Sequence, residues 1–177
     1  DKEKLVMLAW LRHSKIAMWG LTIIRLYLGF AWAKDGFEKL TGPKPFDASG
    51  LIMGAIKNPV TAPGGAKAFP LYDWFLTTFT NNGHSTAAFS FLVSWGELLV
   101  GLGLIFGTLT LAAAFFALVM NFSYLGAGVV SVNPTYIILG GLLLISGFNS
   151  GKIGLDRWVT PFLRSKMPFL NNDISVK

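Results

Sequence analysis

The chain has 177 residues, a length that predicts a single domain. Hydrophobic residues make up 53% of it and charged residues 14%, against about 25% charged residues in a typical soluble domain, so the composition argues against a soluble globule and against disorder. The absence of cysteine excludes disulfides, iron–sulfur clusters and thiol redox chemistry carried by this chain. The net charge of +6 comes from basic residues that flank apolar stretches, so a bilayer explains it better than nucleic acid does.

Four apolar stretches are predicted to cross a membrane as helices. A spanning helix needs about 20 mostly apolar residues. We predict spans over residues 16–37, 86–106, 109–130 and 134–148, of which the last is the shortest. The predicted fold class is therefore all-α, an integral membrane four-helix bundle that forms one domain over residues 1–177.

The segment before the first span is predicted to lie on the membrane surface. The apolar run from Leu5 to Leu11 is too short to cross, so we expect a short interfacial helix there. The first span lies too far along the chain for a plain signal peptide, and no A-x-A cleavage pattern follows it. Because the chain begins with Asp1, we expect that some N-terminal residues were removed.

The connection between the first two spans is unusually long. It covers residues 39–85 and is punctuated by Gly and Pro, whereas the other two connections are two or three residues long. A loop of this length usually has structure or function of its own. Two apolar stretches within it, 48–56 and 71–79, predict short interfacial helices that form a lid over the bundle.

The distribution of Lys and Arg predicts the orientation of the chain. Nine of the fifteen lie in residues 1–15 and 151–177, and five lie between residues 34 and 67. Because Lys and Arg concentrate on the cytoplasmic side of a membrane, we predict a multi-pass cell-membrane protein with both termini cytoplasmic and the long loop external.

Three polar residues interrupt the apolar spans at similar predicted depths. Arg25, Glu97 and Asn121 lie nine, nine and twelve residues from the predicted inner ends of their spans, which corresponds to about 14, 14 and 18 Å of helix. A charge inside a membrane costs roughly 3 kcal/mol and usually faces a partner in the bundle interior. We therefore predict an Arg25–Glu97 ion pair near the midplane with Asn121 beside it. Arg25 and Glu97 are the candidate catalytic residues, and the alternative is that these polar groups only lock the helices in register.

Further candidates lie close to these three. Trp32 and Tyr124 present aromatic faces that suit a planar ligand, although simple packing is the commoner role of such rings. Lys39 ends the first span in a group of charges with the pairs Lys34–Glu38 and Asp35–Lys39, and it is either a solvated helix end or an anion site. Trp32, Lys39, Asn121 and Tyr124 are therefore candidate ligand-binding residues. No metal-ligand spacing, Walker loop or nucleic-acid motif is present, so we predict no metal site and no nucleic-acid partner.

Five short motifs occur in a characteristic order between Ile24 and Trp158. They are Arg25-Leu26-x-x-Gly29 leading to Gly36-Phe37-Glu38-Lys39-Leu40, then Trp95-Gly96-Glu97-Leu98-x-x-Gly101-x-x-Leu104, Gly107-Thr108-Leu109-Thr110, Asn133-Pro134, and Gly151-x-x-Gly154-Leu155-Asp156-Arg157. In this order the chain resembles DoxX-like membrane proteins, and in particular the DoxD-type subunit of thiosulfate:quinone oxidoreductase.

The resemblance implies a four-helix membrane bundle associated with quinone-linked redox metabolism. For the DoxD type it implies oxidation of two thiosulfates to tetrathionate, with quinone as the diffusible electron acceptor and a second, separate redox subunit. Arg25 or Lys39 is then expected to bind thiosulfate, and Glu97 to deliver protons. The resemblance thus makes Trp32, Lys39, Asn121 and Tyr124 the expected substrate- or quinone-binding residues, with Trp32, Asn121 and Tyr124 holding the quinone ring.

Three functions remain open from the sequence. The leading one is a subunit of a quinone-linked oxidoreductase, with thiosulfate as the implied substrate. The second is a non-catalytic anchor or assembly partner of a redox complex, and the third is a small proton-coupled transporter that uses Glu97. The expected partners are the lipid bilayer, a second redox subunit and further copies of the chain.

Overall fold

The computed structural model describes residues 2–170, and this part of the chain contains eight α-helices and no strand longer than an isolated bridge between Thr61 and Lys67. The helices are α1 (Lys2–His13), α2 (Lys15–Thr41), α3 (Ser49–Lys57), α4 (Pro70–Phe79), α5 (Ala87–Phe106), α6 (Thr110–Gly126), α7 (Asn133–Ile145) and α8 (Asp156–Lys166). Single 3-10 turns cover Gly147–Ser150 and Pro168–Leu170. The all-α prediction is confirmed for these residues.

Four apolar helices surround one core. α2 packs against α5 and α7, and α6 packs against the same two helices, so the four form a closed ring. The core between them is apolar and consists mainly of Ala17, Leu21, Leu28, Trp32, Val100, Leu104, Ala114, Ala117 and Leu143. Two of the four, α2 and α5, are long and apolar enough to cross a membrane, whereas α6 and α7 have 17 and 13 residues. The structure therefore supports two of the four predicted spans by length.

Glycines set the close approach of α2 and α5. A β-carbon at Gly36 would overlap the backbone nitrogen of Leu98, and one at Gly101 would overlap the backbone of Ala33. A β-carbon at Gly29 would lie 2.9 Å from the backbone nitrogen of Ile105. These three contacts align the two antiparallel helices, so that each residue of α2 has a fixed level along α5.

Replacing Gly36 by alanine is expected to lower the free energy of unfolding by about 1–3 kcal/mol, because the added methyl group must push α2 away from α5. Gly20 in the same helix is the matched control, since nothing lies within 4 Å of the position of its β-carbon. Gly20→Ala is expected to gain up to about 1 kcal/mol from helix propensity. Unfolding in detergent micelles with increasing SDS measures both, and equal stability of the two variants would contradict the close approach.

The long connection contains the two predicted short helices. α3 and α4 fall on the apolar stretches 48–56 and 71–79 and pack against each other. The backbone N–H of Ala48 donates to Ser90 Oγ of α5 at 2.9 Å. The ring of Tyr72 lies against Gly126 at the end of α6. The segment thus covers the ends of α5 and α6, and we call this end of the ring the loop side.

The opposite end of the ring holds both terminal arms, and we call it the termini side. Asn149 Nδ2 donates to the carbonyl oxygens of Leu11 and Ser14, at 2.8 and 3.1 Å, and so joins α1 to the chain that follows α7. Arg12 Nε donates to the carbonyl oxygen of Ile145 at 3.0 Å. The two terminal arms therefore lie on one side of the ring, as the distribution of basic residues predicts. Lys177, one of the nine basic residues assigned to this side, lies outside the described residues. The cytoplasmic placement of this side stays a prediction.

Candidate functional site

A buried carboxylate with two partners marks the candidate site. The side chain of Glu97 on α5 is 3% exposed. Its Oε2 accepts a hydrogen bond from Lys39 Nζ of α2 at 2.5 Å, and its Oε1 accepts one from the Tyr124 hydroxyl of α6 at 2.6 Å. Three helices therefore converge on one carboxylate, and both of its oxygens are satisfied.

The close helix packing explains why Lys39 reaches Glu97. Gly36 contacts α5 at Glu97 and Leu98, and Lys39 follows it by three residues on the same face of α2. The lysine stem then lies along α5, and the ammonium group meets the carboxylate at the loop end of the ring. Lys39 Nζ also lies 5.4 Å from the centre of the Phe46 ring, a cation–π distance.

An aromatic group lies next to Glu97. The rings of Trp32 and Tyr124 are stacked, with centroids 6.5 Å apart and planes at 22°. The ring of Tyr136 of α7 also packs against Trp32, with centroids 6.2 Å apart and planes at 53°, and Tyr27 meets the Tyr136 ring edge-on at 6.2 Å. The predicted residues Trp32, Lys39, Glu97 and Tyr124 are thus brought together, and Tyr136 joins them.

A cavity of about 290 Å³ opens beside these rings on the loop side. It is lined by α2, α3, α5, α6 and α7 and by the connections before α3 and before α7. The lining includes Trp32, Asp35, Lys39, Phe46, Asp47, Leu51, Val93, Glu97, Tyr124, Val132, Asn133 and Tyr136. Hydrogen bonds from the Ser49 side chain and backbone lower the pKa of Asp47, so this carboxyl group is ionised at neutral pH. The lining therefore carries three carboxyl groups and one ammonium group.

Arg25 does not belong to this site, which corrects the predicted Arg25–Glu97 ion pair. Its Nη2 donates to the carbonyl oxygen of Ile153 at 2.6 Å and its Nη1 to that of Ser150 at 3.4 Å. The guanidinium lies against Gly107, ten residues along α5 from Glu97, so the two charges are separated by about 15 Å along the helix axis. The prediction failed because it assumed that the spans end at one level. In the structure the first turns of α2 extend past the end of α5 on the termini side.

Arg25 instead joins a junction on the termini side. There Asp156 accepts the backbone N–H groups of Leu109 and Thr110, both at 2.8 Å, and so caps the start of α6. Its own N–H donates to the carbonyl oxygen of Gly107 at 2.7 Å. Arg25 and Asp156 thus hold the chain after α7 against the α5–α6 turn. The third and fifth motifs of the sequence therefore meet at this junction.

Asn121 is fully buried but stands apart from the charged groups. It lies one helical turn from Tyr124 on α6, toward the termini side. Within the described residues neither its Oδ1 nor its Nδ2 has a hydrogen-bond partner, and the same holds for Trp32 Nε1. The predicted contact of Asn121 with an ion pair is therefore absent from the described structure. Its unpaired amide leaves a polar spot in the core.

Sequence reasoning missed three lining residues, namely Tyr136, Phe46 and Asp47. Tyr136 has no charged residue in its apolar stretch, and the other two lie in the long connection, whose path no periodicity reveals. Of the two predicted i,i+4 pairs, Lys34–Glu38 is present at 3.8 Å on the surface, whereas Lys39 turns to Glu97. Across residues 2–170, no cluster of three or more His, Cys, Asp or Glu side chains could hold a metal ion.

Comparison with known proteins gives one match. A family model described as DoxX matches residues 20–130, which include most of α2, all of α3 to α6 and every sequence-predicted site residue. No curated protein and no solved structure matches the chain.

Proposed function

The chain belongs to the DoxX family, and from that premise we propose that it is a four-span membrane subunit of a quinone-linked oxidoreductase that binds the quinone ring in the cavity beside Glu97. The observation that carries the proposal is the placement of a buried, hydrogen-bonded carboxylate against an aromatic-lined cavity at one end of an apolar helical ring.

Membrane embedding agrees with the outer surface of the ring. Large apolar side chains are exposed on all four ring helices, among them Ile23, Phe30, Phe91, Leu99, Phe115, Phe122, Ile138 and Ile145. Exposed apolar patches of this extent are typical of lipid contact rather than of a water-facing surface. As helices of 17 and 13 residues, α6 and α7 are about 26 and 20 Å long, so their spanning also requires help from the adjoining turns or local thinning of the bilayer.

The size and lining of the cavity suit a single planar ring. Its volume of about 290 Å³ is at the lower end of the range for small-molecule sites, which is roughly 300–1,000 Å³. Trp32, Tyr124 and Tyr136 supply flat apolar surfaces, and Glu97, Tyr124 and Lys39 supply polar groups at one end. A quinone ring is neutral and planar, with oxygens that accept hydrogen bonds, so it matches both parts of the lining.

The charge of the lining disfavours a dianion. Asp35, Asp47 and Glu97 outnumber Lys39, whose ammonium group is already neutralised by Glu97. Thiosulfate entering this cavity would meet net negative charge. If thiosulfate is the reductant, we therefore assign its oxidation to a second subunit, and the present chain to the quinone side of the reaction.

Glu97 and Tyr124 are positioned to deliver protons. Reduction of a quinone to a quinol consumes two electrons and two protons, and the joining of two thiosulfates into one tetrathionate releases two electrons. The Tyr124 hydroxyl oxygen lies 2.6 Å from Glu97 Oε1 and donates its proton to that hydrogen bond, while Lys39 Nζ donates to Oε2. When Tyr124 passes its hydroxyl proton to an oxygen in the cavity, Lys39 can return a proton to Tyr124 through Glu97 and is then reprotonated from solvent, so two such passages supply the two protons.

Replacing Tyr136 by leucine is expected to raise the dissociation constant of a short-chain ubiquinone analogue about 2- to 10-fold, because an aromatic stacking surface of the cavity is lost. Tyr27→Leu is the matched control, since Tyr27 touches the Tyr136 ring from outside the cavity lining. Calorimetric titration of the purified chain in nanodiscs measures both. Sodium thiosulfate is expected not to displace the analogue.

Two results of this titration would contradict the proposal. The first is an absence of quinone binding to the folded chain, which would favour an anchoring or transport role. The second is equal binding by the two tyrosine variants, which would place the quinone elsewhere. Displacement by thiosulfate would contradict the separate assignment of thiosulfate oxidation to a second subunit.

A further inference from the structure

The hydrogen-bonded pair of Glu97 and Tyr124 has a route to solvent on the loop side. The cavity that Glu97 lines is bounded by Phe46, Asp47 and Leu51 of the long connection and by Val132 and Asn133 beside the α6–α7 turn, all on the loop side. Asp35 and Asp47 are exposed, so water-accessible carboxyl groups lie at the mouth of the cavity.

The ionisable groups facing Glu97 all lie at this end. They are Lys39 and Asp35 on α2, Tyr124 on α6, Tyr136 on α7 and Asp47 in the long connection. Lys39 is 25% exposed while Glu97 is 3% exposed, so the lysine stands between the carboxylate and water. Together these groups form a polar path from solvent to Glu97.

A tightly packed apolar layer closes the other direction. Leu104 lies seven residues from Glu97 on α5, about 10 Å toward the termini side, and is fully buried. Gly29 of α2 meets α5 at Leu104 and Ile105, which places Leu28 at the same level. Ala114 and Leu143 belong to the same cluster and are also fully buried. We call Leu28, Leu104, Ala114 and Leu143 the apolar layer.

No titratable side chain bridges the apolar layer within residues 2–170. Arg25 is the next charged group toward the termini side, and its guanidinium is bound to backbone carbonyls beyond the layer. Asn121 is polar, but it lies on the loop side of the layer, seven residues along α6 from Ala114, and so does not cross it. Proton transfer needs a chain of hydrogen-bonding groups or water, and water occupies only sites that offer polar partners.

From this arrangement we propose that Glu97 and Tyr124 exchange protons with the loop side of the membrane only, across a cavity that the apolar layer seals from the termini side. The consequence for quinone rests on the proposed function: protons consumed at this site are drawn from the loop side. The sidedness itself needs no quinone, so it can be tested independently.

The native chain lacks cysteine, which makes it a ready background for single-cysteine accessibility measurements. Val93→Cys places a thiol on the cavity lining, one turn from Glu97. Lys57→Cys and Lys152→Cys are exposed reference positions on the loop side and the termini side. Each variant, reconstituted in vesicles and shown to be folded by size-exclusion chromatography, is treated with a charged, membrane-impermeant thiol reagent from one side at a time.

The expected result is that Val93→Cys reacts from the side that modifies Lys57→Cys, at least about tenfold faster than from the side that modifies Lys152→Cys, which corresponds to a barrier difference of about 1.4 kcal/mol. Labelling of Glu97 itself by a water-soluble carbodiimide with an amine nucleophile, located by peptide mass spectrometry, is expected to show the same side. Glu97→Gln is the blank for that label.

Reaction of Val93→Cys or Glu97 from the Lys152 side, or equally from both sides, would overturn the proposal. Failure to react from either side would overturn it as well, since Glu97 would then have no solvent route. Loss of quinone binding with loop-side labelling intact would reject the proposed function and leave the sidedness standing.

Discussion

Replacing Lys39 by methionine is expected to lower the free energy of unfolding by about 3 kcal/mol or more, because Glu97 is then left as a buried carboxylate without its cation. Replacing both Lys39 and Glu97 by methionine is expected to recover most of this loss, since two apolar side chains of similar length then fill the same space. SDS-induced unfolding of the four proteins of the cycle gives the coupling energy directly.

Lys34 provides the matched control for this cycle. It forms a comparable pair with Glu38 on the same helix, but at 3.8 Å and with both side chains more than half exposed. Lys34→Met is therefore expected to change the free energy of unfolding by less than about 1 kcal/mol. A Lys39–Glu97 coupling no larger than that of Lys34–Glu38 would show that Glu97 does not depend on Lys39. The corresponding cycle of Arg25 and Glu97 is expected to be additive, because the two side chains are about 15 Å apart along the helix axis.

Replacing Arg25 by methionine is expected to destabilise the protein by about 3–5 kcal/mol. Its guanidinium satisfies the carbonyl oxygens of Ser150 and Ile153, and it fills the space against Gly107 and Gly154. Without it, these buried carbonyls lose their donor, and the chain after α7 is released from α2. Trypsin is then expected to cut at Lys152 and Arg157 much faster than in the wild type, as gel electrophoresis and mass spectrometry will show.

Arg157 serves as the control for the loss of an arginine. It is exposed, and its guanidinium lies over the exposed Trp158 ring at 5.8 Å. Arg157→Met is expected to leave the free energy of unfolding within about 0.5 kcal/mol of the wild type. If Arg25→Met were equally mild, or if cleavage at Lys152 were unchanged, the termini-side junction would not hold the chain as the structure indicates.

The sequence predicts the secondary structure well where one local pattern decides it. The apolar stretches 48–56 and 71–79 sit between Gly and Pro residues and form α3 and α4 as expected. The long apolar runs form α2 and α5. The last predicted span is the weakest, because α7 ends at Ile145 and the chain tightens into a 3-10 turn at Gly147, whose φ is +59°.

The partners of the charged residues could not be predicted from depth alone. Counting residues from the span ends places Arg25 and Glu97 at the same depth. However, α2 has 27 residues and α5 has 20, and α2 extends beyond the end of α5 on the termini side. The actual register depends on where Gly29, Gly36 and Gly101 meet the facing backbone. Those contacts are a property of two helices together, and neither apolar stretch reveals them by itself.

The aromatic candidates were easier to identify than the charged ones. Trp32 and Tyr124 share helix faces with polar residues, which identifies them in the sequence as candidate binding residues. The structure stacks their rings beside Glu97. Their role in holding a ring stays a prediction. Phe46 and Asp47 reach the same cavity only through the path of the long connection, which depends on tertiary contacts such as Ala48 with Ser90.

The most direct test of quinone binding in the cavity beside Glu97 is photo-crosslinking with a short-chain azidoquinone in nanodiscs, followed by peptide mapping. We predict labels on the cavity lining, in particular on Leu51, Val132 or Tyr136. An excess of unmodified quinone is expected to suppress these labels. Labels confined to the lipid-facing side of α6, such as Phe115 and Phe122, or labels that competing quinone does not reduce, would contradict quinone binding beside Glu97.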